Sequence, residues 1–145
     1  MQLVYQFLLS LAATIGFAVY FNAPLASIIP TGFLGGLSWS LYYVFFKLLD
    51  QKVLGAFMAA FLVGSLGELL SIVFKKPATV FITPGIVPLV PGAGMYYTML
   101  YLVEENFEMA ISKGVETFFI AASISIGIIT STIFSRGIRS FSKYD

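Results

Sequence analysis

The residues best suited to chemistry stand in one apolar stretch that prolines and glycines interrupt. Residues 84–94 read PGIVPLVPGAG, with three prolines and three glycines in eleven positions. Each interior proline removes a backbone donor and crowds the preceding turn, so we expect the helix to break at Pro84, Pro88 and Pro91. Non-helical backbone at membrane depth is stable only where protein buries it or where it lines a water-filled cavity. The segment therefore predicts either a substrate site or a helix kinked by structural prolines.

If a helix resumes after Pro91, its first turn would present free amides and a partial positive charge to a substrate carboxylate. Glycine at positions 92 and 94 would allow a ligand to approach the backbone closely. Nearby polar side chains could complete such a site, and the candidates are Thr83, Tyr96 and Tyr97.

Glu68 is the one charge deep inside a hydrophobic stretch. A carboxylate near the middle of a bilayer costs roughly 2.5–3.5 kcal/mol on insertion scales, so it should face other helices or water. It is either a proton-relay or cation-binding group, or a neutral glutamic acid hydrogen-bonded across a helix interface. Glu116 lies nearer the end of its apolar stretch and is interpreted as an interfacial residue.

Several functions are excluded by composition. The chain has no cysteine and no histidine, which excludes disulfides, thiolate chemistry and the usual zinc sites. No nucleophile–base pair, phosphate loop or metal-ligand cluster appears, so we expect no enzyme, metal or cofactor. A net charge of +1 without a basic block gives no reason to expect nucleic acid.

The apolar composition predicts an all-α integral membrane protein, multi-pass in the cell membrane. Hydrophobic residues make up 59% of the chain and charged residues 10%, whereas roughly a quarter of the residues in soluble domains are charged. The charges separate apolar stretches of about 20 residues, the length that crosses roughly 30 Å of hydrocarbon. We expect a single membrane domain over residues 1–145, embedded in the lipid bilayer.

Five spans are predicted, at about 2–21, 28–46, 53–74, 78–103 and 114–135, with the fourth broken. Four spans plus a re-entrant element are the alternative. If all five cross, the excess of lysine and arginine places the C-terminus in the cytoplasm. That side would carry five cations against three on the other, namely Lys75, Lys76, Arg136, Arg139 and Lys143 against Lys47, Lys52 and Lys113.

Small residues recur at the spacing that lets membrane helices pack closely. We therefore expect the second, third and fifth spans to have protein neighbours, in this chain, in a partner or in a second copy. The stripes comprise Gly32, Gly36 and Ser40, then Ala60, Gly64, Gly67 and Ser71, then Ser123, Gly127 and Ser131.

Two stretches resemble the threonine/serine exporter family, in particular its small-subunit type. They are residues 16–24, GFAVYFNAP, and residues 86–99, IVPLVPGAGMYYTM. The resemblance implies export of threonine and serine, or of the dicarboxylate succinate in some two-subunit members, and it implies a larger membrane subunit as partner. The residues that match the family's motifs are Asn22, Pro24, Pro88, Pro91, Gly92 and Tyr96.

The resulting expectation is a subunit of an exporter of small polar carboxylate solutes, with Glu68 as a candidate coupling site. A non-transporting scaffold subunit is the alternative from another class. Because no lysine or arginine falls within a predicted span, carboxylate recognition would depend on backbone amides or on cations of the partner. That arrangement suits a zwitterionic amino acid better than a dicarboxylate.

Overall fold

The structure, a computed structural model, describes residues 1–141 and consists of helices joined by short turns. The side chains of residues 136 and 138–141 lie outside the described part, as does Lys143. The prediction of orientation from Arg136, Arg139 and Lys143 therefore has no counterpart in the described structure. The helices are α1 (Gln2–Tyr20), α2 (Leu25–Leu49), α3 (Lys52–Phe74), α4 (Thr79–Ile86), α5 (Gly92–Val103) and α6 (Phe107–Phe141), with a 3-10 turn, Val87–Leu89, after α4.

Four of these helices are long and apolar enough to cross a membrane, and the bent pair α4–α5 can supply a fifth span. The prediction of an all-α membrane protein is thus confirmed. Two helices begin earlier than the sequence suggested: α2 at Leu25, continuing through Pro30, and α6 at Phe107. The early start of α6 has a local cause, because Asn106 Oδ1 accepts a hydrogen bond from the Met109 amide at 3.3 Å and so caps the helix.

Short turns with left-handed residues reverse the chain between neighbouring helices. Asn22, at φ 55°, ends α1, and the Ala23 amide donates back to the Ala18 carbonyl at 2.9 Å. This pattern is a Schellman motif, in which asparagine tolerates the left-handed conformation better than most residues. Pro24 then precedes the first turn of α2. The Asn22–Pro24 corner therefore ends α1 and begins α2.

Contacts between side chains fix the relative directions of the helices. α3 and α6 are parallel, since Lys52 contacts Glu116 and, further along, Phe61 packs on Phe134 with 6.2 Å between ring centroids. α4 is antiparallel to α3, because Phe81 contacts Phe74 and, further along α4, a β-carbon at Gly85 would meet Val63. α5 is antiparallel to α6, because a β-carbon at Gly94 would meet Thr117 and one at Gly114 would meet Thr98.

It follows that α4 and α5 run in the same sense. The angle between them is 45°, not a reversal. This geometry favours one broken span over a re-entrant loop.

The break lies at Val90–Pro91, and the expectation that Pro84 also breaks the helix is wrong. α4 continues through Pro84, which is less than 2% exposed and lies beside the core residue Phe81. Membrane helices accept an interior proline when neighbouring elements compensate for it. Pro91 acts differently, because a residue before proline is driven to extended backbone, and Val90 has ψ 124°. The Gly92 amide then donates to the Val90 carbonyl at 2.8 Å, a tight turn around Pro91.

The core lies where α2, α3, α4 and α6 meet, around Leu34, Val63, Phe81 and Ile124. Glycines are buried at the contacts between helices: β-carbons at Gly32, Gly36, Gly64, Gly67 and Gly127 would meet Ile15, Phe7, Ser131, Ile82 and the Phe57 backbone respectively. The hydroxyls of Ser40 and Ser123 donate to carbonyls of their own helices, Gly36 and Ile120, each at 2.8 Å.

Candidate functional site

A cavity of about 380 Å³ lies beside the break between α4 and α5, and we name it the break cavity. Its volume is at the small end of the range for ligand pockets. Three kinds of wall enclose it: the backbone of the break, a group of aromatic rings and a group of charged side chains. The described residues that define these walls are Pro88, Leu89, Val90, Pro91, Ala93 and Gly94, then Trp39, Tyr42, Tyr43, Phe46 and Tyr97, then Lys52, Lys113 and Glu116, with Gln6, Thr117 and Ile120 between them.

The charged wall is an ionic triad in which one carboxylate holds two lysines. Glu116 Oε1 lies 2.5 Å from Lys52 Nζ, and Glu116 Oε2 lies 2.7 Å from Lys113 Nζ. The parallel packing of α3 and α6 brings the triad together, because Lys52 begins α3 while Lys113 and Glu116 stand three residues apart on α6. The side chains are about a third exposed, at 34%, 35% and 29% in the order Lys52, Lys113 and Glu116.

The triad carries a net charge of +1 and keeps hydrogen-bonding capacity. Each ammonium has three donors and gives one to Glu116, which leaves two donors per lysine for a further acceptor. A solute carboxylate could therefore bind the same two lysines from the side of the cavity.

Hydrogen bonding and ring contacts hold the side chains of the aromatic wall in position. The indole of Trp39 donates to Gln6 Oε1 at 2.9 Å, and its ring lies 5.3 Å from that of Tyr42. Tyr42 stacks on Phe46 at 6.3 Å, and Lys52 Nζ lies 5.5 Å from the centre of the Phe46 ring. The cavity therefore pairs an apolar face with a charged one, as a small amphipathic solute requires.

Four residues proposed from the sequence meet at this cavity, namely Pro88, Pro91, Gly94 and Tyr97. Gly92 stands in the same turn and is exposed, with open space where a side chain would begin. Its amide is already engaged with Val90, so the first turn of α5 reaches the cavity through Ala93 and Gly94. Thr83 and Tyr96 are exposed and do not line it.

The other proposed residues lie elsewhere. Asn22 and Pro24 form the corner between α1 and α2. Glu68 lies inside the bundle, 7% exposed, and follows Lys52 by sixteen positions on α3, which corresponds to about 24 Å along the helix axis. Glu68 and the break cavity are thus two separate locations.

Sequence reasoning missed the ionic triad: no lysine was expected within a span, yet Lys52 and Lys113 belong to α3 and α6 and line the cavity. The spacing of Lys113 and Glu116 is a signal for a pair on one helix face. Lys52 stands 64 positions before Glu116, and only the parallel register of α3 and α6 joins them. Trp39, the single tryptophan of the chain, was also missed.

Comparisons with known proteins bear on the identity of the chain. An uncharacterised protein of Haemophilus influenzae is 26% identical over 136 residues, which cover 88% of this chain and 46% of that relative. The chain thus spans about half the length of the relative, and no solved structure matches it. A family model described as Threonine/Serine exporter, ThrE matches residues 6–134. The chain therefore belongs to the threonine/serine exporter family and is a multi-pass protein of the cell membrane.

Proposed function

We propose that this chain is a subunit of an exporter for small polar carboxylate solutes, with threonine and serine as the first candidates. One observation carries the proposal: the broken span, two lysines and an aromatic wall enclose a single small cavity. Broken helices are where many secondary transporters bind substrate, because irregular backbone there adjoins a polar cavity.

The chemistry of the cavity matches the parts of such a solute. Lys52 and Lys113 attract a carboxylate, and Glu116 offers an acceptor for an ammonium group. The rings of Trp39 and Tyr42 supply an apolar surface for a short side chain. An amino acid with a small side chain satisfies all three features.

A larger membrane subunit is part of this proposal. The support is that α5 buries none of its residues within this chain. A partner that packs on α5 would lie beside the break cavity, which Ala93, Gly94 and Tyr97 of α5 line.

The test is efflux from membrane vesicles that contain this chain and the larger subunit and are preloaded with labelled threonine. We expect Lys52→Gln and Lys113→Gln to lower the efflux rate by about tenfold, since hydrogen bonds to charged groups are worth about 1.5–3 kcal/mol. Lys47→Gln is the matched control, because Lys47 is exposed at the same end of the bundle and does not line the cavity.

Equal efflux with and without this chain would refute the proposal. A loss of efflux in parallel with a loss of assembled complex, measured by co-purification of the two chains, would indicate a scaffold subunit instead. Succinate-loaded vesicles run beside the threonine assay distinguish the two solute classes.

A further inference from the structure

We propose that Glu116 determines the charge selectivity of the break cavity. By neutralising one of the two lysines, it leaves a net charge of +1 that accepts a solute with one carboxylate and disfavours a dicarboxylate. The inference rests on the proposed function only in placing the solute in this cavity.

The geometry of the triad is the first argument. Each Glu116 oxygen contacts a different lysine, Lys52 on α3 and Lys113 on α6. The same carboxylate therefore holds the two ammonium groups together and lowers the net charge of the cavity wall by one unit. Without Glu116, the two lysines would give the wall a net charge of +2, which matches the charge of a dianion.

The rest of the lining supports the same conclusion. Among the described residues that line the break cavity, only the three members of the triad carry charge. Asp50, in the turn before α3, lines an adjoining groove together with Lys52 and Glu116 and not the break cavity. A second carboxylate of a solute would thus meet aromatic rings and neutral groups such as Gln6 and Thr117, and a charge removed from water without a partner is strongly disfavoured.

Two substitutions separate charge from structure. Glu116→Gln and Lys113→Gln both abolish the ion pair between α6 residues 113 and 116, and Glu116→Gln also abolishes the pair with Lys52 on α3. Their effects on the cavity are opposite: the first raises its net charge to +2 and the second lowers it to zero. Glu108→Gln is the control for removal of a negative charge, because Glu108 is exposed in the first turn of the same helix and outside the cavity lining.

Trp39 provides a binding measurement that is independent of transport. It is the one tryptophan of the chain and stands in the cavity wall, so its fluorescence reports occupancy. The purified full chain in lipid nanodiscs is titrated with threonine, butyrate and succinate. Equilibrium dialysis of the radiolabelled solutes measures the same affinities directly.

We expect the wild-type chain to bind threonine and butyrate more tightly than succinate. Glu116→Gln should raise the ratio of succinate to threonine affinity by at least about fivefold, the effect of roughly 1 kcal/mol for a partly exposed charge. Lys113→Gln should lower that ratio, and Glu108→Gln should leave it unchanged. If Glu116→Gln does not fold, Glu116→Asn and Lys113→Gln carry the same comparison.

The inference would be overturned if the ratio of succinate to threonine affinity shifted in the same direction in both triad variants or stayed unchanged in both. The absence of solute binding by dialysis would also overturn it. The proposed function fails separately, through the vesicle assay. Unchanged efflux without this chain, combined with the expected shift in the affinity ratio, would retain the charge-selective site and reject the export role.

Discussion

At the scale of single residues, the two carboxylates Glu68 and Glu116 occupy different surroundings on adjacent, parallel helices. Glu116 faces the break cavity and holds two lysines, whereas Glu68 is 7% exposed within the bundle. The distance of about 24 Å along α3 between Lys52 and Glu68 separates the two settings. Binding of solute and any coupling to a proton or cation would then depend on different residues.

This separation predicts that Glu68→Gln leaves solute affinity unchanged. Substitutions more than about 10 Å apart without shared partners usually act independently, within about 0.5 kcal/mol, so the threonine affinity measured through Trp39 should change by less than about twofold. Lys52→Gln, in the same helix, should weaken it by about tenfold. If Glu68 serves coupling, Glu68→Gln lowers efflux while threonine binding persists. An equal loss of threonine affinity in Glu68→Gln and Lys52→Gln would show that the two locations act as one site.

The glycines of the break differ in what surrounds them, and this predicts opposite outcomes for two neighbouring substitutions. A β-carbon at Gly94 would overlap the side chain of Thr117 on α6, whereas none of the described atoms lies within 4 Å of one at Gly92. Gly94→Ala should therefore lower the free energy of unfolding by about 1–3 kcal/mol through overpacking, and Gly92→Ala should not lower it. Unfolding in mixed micelles, followed by circular dichroism, measures both. Similar stabilities of the two variants would contradict the placement of α5 against α6.

Sequence patterns locate some of these residues and not others. The proline–glycine run points to Pro91, Gly94 and Tyr97 because irregular backbone and its polar neighbours are adjacent in the chain. Lys52 and Glu116 come from distant helices, and each alone resembles an ordinary charge near the end of a span. Their meeting depends on helix direction and register, which no local pattern encodes.

At the scale of elements, the prolines of the broken span show which local rule dominates. The general rule against interior proline predicts breaks at Pro84, Pro88 and Pro91, yet α4 runs through Pro84 because the surrounding core holds it. Pro91 ends the helical path because Val90 before it adopts extended backbone. The presence of a broken span could be predicted from composition, whereas the position of the break required knowledge of which prolines the core encloses.

The close packing of α3 on α6 rests on glycine and gives a prediction at the same scale. A β-carbon at Gly127 would lie 2.7 Å from the carbonyl oxygen of Phe57, a backbone atom that cannot rotate away. Gly127→Ala should therefore destabilise the protein by about 1–3 kcal/mol. It should also weaken solute binding at the Lys52–Glu116 contact, because that contact needs the same helix pair.

Gly16→Ala is the matched control for this substitution. Gly16 lies in α1 with open space at its β-carbon position, so alanine there should stabilise the helix by about 0.5–1 kcal/mol. Micelle unfolding of the two variants should move in opposite directions. A neutral Gly127→Ala variant would mean that α3 and α6 pack less closely than described.

At the scale of the whole molecule, the helix directions favour five crossings of the membrane over four crossings with a re-entrant element. The turn between α2 and α3 and the turn between α5 and α6 then lie on one side, together with the N-terminus. The break cavity stands in the half of the molecule nearer that side, since Lys52 is the first residue of α3 and Glu116 lies beside it. Lys47 also lies toward that side, near the end of α2 and outside the triad.

Cysteine labelling tests the crossings and the orientation together, in a chain that has no native cysteine to remove. Exposed turn positions are available at both ends: Asp50 between α2 and α3, Lys76 between α3 and α4, and Glu105 between α5 and α6. With a membrane-impermeant maleimide on intact cells, we expect Asp50→Cys and Glu105→Cys to be labelled, and Lys76→Cys to be labelled only after permeabilisation. Glu105→Cys and Lys76→Cys labelled from one side would instead require a re-entrant α4–α5 pair. A full inversion of the labelling pattern would preserve the five crossings and place the cavity toward the cytoplasm. Solute would then contact the triad when it enters the exporter, and not when it leaves.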